Sequence, residues 1–191
     1  VPVIQSTSLL QLADYEAFNG QQTRRVISIY KAAAEADTLS PEPYFRMTQY
    51  YLHQWKQTRE PDLFERSIES AKQALIRSPH SPHAAHELGR AWLVRAIEAA
   101  PKEEAAALAA VEELQIAVNR YPSHPTWNAE VAQALALAGK EDEASDFAER
   151  ALKLDDLNRA AGHVDRYLPD DLLALLKTLT NIEQQLDNDR D

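Results

Sequence analysis

Apolar residues recur along this chain at the three-and-four spacing of an amphipathic helix. Val26, Ile29, Tyr30 and Ala33 share a stripe in a helix expected from about Gln22 to Ala36. Tyr44, Met47, Thr48 and Tyr51 form the next stripe, and Phe64, Ser67, Ile68, Ala71, Ala74 and Leu75 the one after it. Ala107, Ala110, Val111, Leu114, Ala117 and Val118 repeat the pattern, as do Ala144, Phe147, Ala148, Ala151 and Leu152. A first helix is expected from a Ser8 cap to Phe18, with Leu9, Leu12 and Ala13 inward. Asn19-Gly20 stops it, and Gly139 joins two later helices. Prolines stand between these segments rather than inside them, as punctuation. The segment Trp55 to Pro61 reads as a link.

The helices fall into pairs. Pro41, Pro82 and Pro125 open successive pairs, 41 and 43 residues apart. The pairs span about 5–38, 41–79, 82–122 and 125–157. After Asp156 a short helix is expected over Leu157–Leu168. Pro169 then opens a longer one, with Leu172, Leu175, Leu176, Leu179, Ile182 and Leu186 on its apolar face. The end of a stacked helical array needs such a cap, because no further repeat covers it. The region 158–188 is therefore read as a cap, and the whole of 1–191 as one domain. The rival reading makes this face a self-association helix, acting through Leu176 and Leu179.

Composition supports an all-α chain. Hydrophobic residues make up 45% of it, enough for a continuous core, and there are only 4 glycines. Alanine, leucine, glutamate and glutamine, all strong helix formers, dominate. A net charge of −10 argues against double-stranded nucleic acid, whose phosphates need clustered lysine and arginine. The absence of cysteine excludes disulfides and thiolate metal sites. No run approaches the roughly 20 apolar residues of a membrane span, so insertion of this segment is not expected. The chain starts at Val1 rather than methionine, which reads as a processed fragment. Cytoplasm and periplasm both suit it, with or without a membrane tether upstream.

The stretch ALALAGKEDEASDFAERALKLDD resembles the turn and second helix of a tetratricopeptide repeat (TPR). Gly139 sits at the turn, Ala144 opens the packing face, and Ala151–Leu152 closes it. Leu88-Gly89 and Trp92 match the family's Leu-Gly-x-x-aromatic pattern, and Pro122 its closing proline. The sequence departs from the family at Asp156, where proline is usual, and at Asn128 and Val131–Ala132, where tryptophan and Leu-Gly are. The period also exceeds the family's roughly 34 residues. Two extra helical turns per pair would absorb the excess; HEAT-type repeats are the alternative. The resemblance implies a right-handed α-solenoid of about four hairpins plus a capping helix.

It also implies a concave groove lined by the first helix of each pair, which takes a protein or an extended peptide. Residues one turn off the packing stripe would face it: Phe45, Gln49 and His53, then His86, Arg90 and Val94, then Glu130 and Gln133, with Leu10 and Asp14 from the first pair. TPR domains that hold chaperone tails use a lysine–asparagine–lysine–arginine clamp. Only Arg90 resembles it, so chaperone-tail binding is not expected. The alternative context is the regulatory or self-association tail of an envelope polysaccharide polymerase or O-antigen ligase, looser in resemblance and carried by no specific motif.

Candidate chemistry is sparse. His83 and His86, three apart at a helix start with Glu87 beside them, form a partial metal-ligand set. Histidine beside proline in a repeat turn accounts for them without a metal. HELGR fails the H-E-x-x-H zinc-protease pattern, because residue 90 is arginine. Glu141, Asp142 and Glu143 suit the first turn of a helix, where they complement the dipole. Asp155-Asp156 ends its helix and reads as a solvated loop. No nucleophile elbow or glycine-rich phosphate loop occurs. The expectation is a binding scaffold without catalytic residues, metal or cofactor.

Overall fold

The computed structural model describes residues 2–20, 22–99 and 103–188, with the side chains of Pro2 and of 181–188 outside the description. The chain forms two compact units, residues 1–87 and 88–191. All regular structure among the described residues is helical.

The first unit holds α1 (Pro2–Phe18), α2 (Thr23–Ala36), α3 (Glu42–Thr58), α4 (Pro61–Arg77) and the start of α5 (Pro82–Glu98). The expected Ser8 cap is replaced by an earlier start. Thr7 and Ser8 donate their hydroxyls to the carbonyls of Val3 and Ile4, one turn back, as such residues do inside a helix. Ala13 is buried as expected, whereas Leu12 faces solvent. Ser6 takes an inward place instead, its hydroxyl donating to Ala33 O at 3.0 Å.

Helices α3 and α4 form a hairpin. The expected Trp55–Pro61 link shrinks to Arg59 and Glu60, because α3 continues to Thr58. Arg59 takes a left-handed conformation, φ 61°, which turns the chain without glycine. Its N–H bonds Trp55 O at 2.8 Å, closing the last helical turn. Trp55 then packs on Phe64 across the hairpin, ring centres 5.4 Å apart. Each of these helices has 17 residues, so the long repeat period is taken up by longer helices. Arg77 donates to the carbonyls of Ala34, Asp37 and Ser40, which satisfies the end of α2.

The second unit holds the rest of α5, then α6 (Glu104–Arg120), α7 (Pro125–Leu137), α8 (Glu141–Ala161), a 3₁₀ turn at Val164–Arg166 and α9 (Asp170–Asn188). Pro101 lies outside the described residues. Gly89 lets α5 and α6 touch: a Cβ there would lie 2.7 Å from Leu114 Cγ and 2.8 Å from its backbone nitrogen. Gly139 closes α7 at φ +72°, and Lys140 N–H bonds Leu135 O across it.

Two expectations fail beyond Ala151. Asp155 and Asp156 lie inside α8, which runs to Ala161 and ends at Gly162. The expected helix over Leu157–Leu168 is therefore the end of α8 plus the 3₁₀ turn. Asp155 is not a solvated loop residue. It is 1% exposed, accepts from Leu168 N–H at 2.7 Å and pairs with Arg159 at 2.6 Å. A buried carboxylate needs such partners.

Helix α9 is the cap. Leu168 and Leu176 are buried against Ala129, Ala132, Ala148 and Ala151, flanked by half-buried Leu172, Leu173 and Leu179. Leu176 is thus used inside the fold, which removes it from the expected self-association face. Ile182 and Leu186 lie outside the described side chains. No described helix is long and apolar enough to cross a membrane.

Candidate interaction surface

Polar side chains of α1, α3 and the start of α5 meet on one side of the first unit. Asp14 accepts from the Tyr30 hydroxyl at 2.6 Å and lies 3.7 Å from Arg46 of α3. Burial, and then the hydrogen bond to Asp14, push the Tyr30 hydroxyl well above the usual tyrosine range. Gln49 stands exposed on α3, and its amide reaches Glu87 of α5 at 3.5 Å. His53 is exposed one turn further on, in contact with Gln57. Asp14–Arg46 and Gln49–Glu87 therefore bridge successive first helices.

The second unit repeats the arrangement with other residues. Arg90, half-exposed on α5, lies 3.9 Å from Glu130 of α7. Gln133 follows at half-burial, about one turn along α7. Off this row, Arg95 of α5 holds Glu103 through two bonds of 2.9 and 2.8 Å. Those bonds lower the Glu103 carboxyl below its ordinary value.

Two expected groove residues belong to the core. Phe45 is 5% exposed, packed with Ala74 and Ala84 and set edge-on to His83 at 4.7 Å. His86 is 7% exposed and stacks on His83. The reason is the number of neighbours. A helix inside an array is covered by its own partner and by the next pair, so its buried stripe is wider than a lone hairpin's. Residues 84–89 are buried without a break. Leu10 likewise packs on the first core cluster, while Val94 is half-buried.

His83, His86 and Glu87 do converge, with ligand atoms within 4.8 Å of one another. They are the group among the described residues that could hold a metal ion. Glu87 is buried and faces His83 at 3.9 Å as well as Gln49. Arg46 and Glu87 are the bridging residues that sequence reading of the groove missed. Glu87 sits four residues after His83 within an apolar run, a spacing that does signal a shared face.

No protein-family model matches the chain, and no curated protein matches it. Among solved structures it is similar to the crystal structure of MamA protein, at 17% identity and a TM-score of 0.60, over 96% of this chain and 94% of that one. A second crystal structure of MamA gives 17% identity and 0.57, over 92% and 96%. TTC0263, a thermophilic TPR protein of Thermus thermophilus, gives 17% identity and 0.58, over 91% and 98%. The fold is that of the TPR proteins. This decides against the HEAT-type alternative, and none of these matches links the chain to an envelope polysaccharide enzyme.

Proposed function

We propose that the chain is a binding scaffold that holds an extended segment of a partner protein against its polar rows. In the first unit the row is Gln49 and His53; in the second it is Arg90, Glu130 and Gln133. The observation that carries this reading is the looseness of the bridges. Gln49–Glu87 at 3.5 Å and Arg90–Glu130 at 3.9 Å are long, and one side of each is exposed. Glu87 and Glu130 are largely buried, so a ligand that displaces Gln49 or Arg90 must itself satisfy these carboxylates. Peptide N–H groups would do so, with side chains giving selectivity. The TPR fold supports a scaffold rather than a reaction centre.

Affinity capture tests this on each unit separately. Gln49→Arg in the first and Arg90→Glu in the second are surface changes that leave the helices intact. At least one is expected to remove a captured protein that the parent retains, with an unchanged melting curve. Identical capture by the parent and both variants would sink the proposal.

A further inference from the structure

A cleft of about 540 Å³ lies in the first unit between α2 and α4, away from the polar row. Its floor is α3, which presents Tyr44, Met47 and Tyr51. A smaller cleft of about 240 Å³ adjoins it and shares Lys31, Tyr51 and Arg66. Together they follow α2 from Thr23 to Glu35. That is about 18 Å of helix, the span of roughly five extended residues. Such a shape suits a chain segment better than a compact small molecule.

The charge of the cleft opposes that of the protein. The chain carries −10, yet Arg24, Lys31, Arg66 and Arg77 line the two clefts against a single lining carboxylate, Glu35. Among the described residues Arg24 and Lys31 form no ion pair. Arg66 shares its charge with Asp62 at 2.8 Å. Arg77 spends its donors on backbone carbonyls and lies over the Tyr44 ring, so its charge faces no carboxylate there. An aromatic and thioether floor under a cationic rim accepts an apolar side chain flanked by acids.

We infer that this cleft is a second docking site, specific for an acidic peptide segment with an aromatic or aliphatic anchor.

The probe is a fluorescein-labelled decapeptide alternating glutamate and phenylalanine, titrated against the full chain by anisotropy. Its control has lysine in place of glutamate. The expected result is saturable binding of the acidic peptide only, weakening as salt rises. Lys31→Glu and Arg24→Glu, both on the exposed rim, are expected to raise Kd tenfold or more. Gln73→Trp, which fills the cleft without altering charge, is expected to do the same. Gln49→Arg is expected to leave it unchanged, which separates this site from the polar row. Equal binding of the lysine peptide, no saturation, or indifference to both Lys31→Glu and Gln73→Trp would each overturn the assignment.

Discussion

The two units reach the same hairpin architecture with different core materials. In the first, Tyr30, Phe45, Tyr51, Trp55 and Phe64 are buried, with Met47 among them. In the second, many of the buried residues are alanines, among them Ala91, Ala96, Ala107, Ala110, Ala132, Ala148 and Ala151, with Gly89 against Leu114. Trp127 is its buried aromatic among the described residues. Large side chains fill volume in big, shaped pieces, and the first unit is left with an open cleft between α2 and α4. Small ones let helix backbones approach, which makes contact uniform. The first unit should suffer when a side chain is cut down, the second when one is enlarged.

Trp55→Ala tests the first half and should have the largest effect. It removes the indole held between Phe64 and Arg59 at the α3–α4 hairpin. A loss of about 3–5 kcal/mol is expected from urea unfolding. Ala132→Leu tests the other half. Ala132 is fully buried beneath the cap, so added methylenes should cost about 1–3 kcal/mol by the same measurement. If Ala132→Leu stabilised the protein, the second core would be loosely filled and the contrast would fail.

Gly89→Ala sharpens the comparison by one carbon. Alanine gains about 1 kcal/mol of helix propensity over glycine. The new Cβ would meet the Leu114 backbone, which cannot swing away. The net should be a lowered Tm despite the propensity gain.

The smallest effect concerns Tyr30. Its hydroxyl holds its proton more tightly in the folded chain than an ordinary tyrosine near 10. The unfolded chain therefore releases that proton first as pH rises. Tyr30 contributes stability that is complete below about pH 10 and falls above it. Tyr30→Phe should be somewhat less stable at pH 8, through loss of the bond to Asp14, and should lose less on moving to pH 11.

Which of these features sequence could reveal follows from their range. The second-helix stripes, such as Ala107 to Val118, were legible because one face of a helix repeats locally. The length of α3 was not, since nothing in Trp55–Pro61 announces that Arg59 takes the turn. Phe45 was misplaced because its burial comes from Ala74 and Ala84 on other helices. Asp155 was missed for the same reason: its partner N–H belongs to Leu168, 13 residues on. The exposure of Gln49, His53 and Arg90 accords with their helical phase, while the bridging roles of Arg46 and Glu87 needed three dimensions.

The cap also sets an order in time. Its contacts are with α7 and α8, the helices made just before it, so the alanine face there waits for α9. At a synthesis rate of about 5–20 residues per second, the roughly 20 residues of that helix take one to several seconds. During that interval the alanine face of α7 and α8 lacks its leucine cover. A message truncated between Ala161 and Leu172 would make the exposure permanent, and its product would be a natural client for chaperones and proteases.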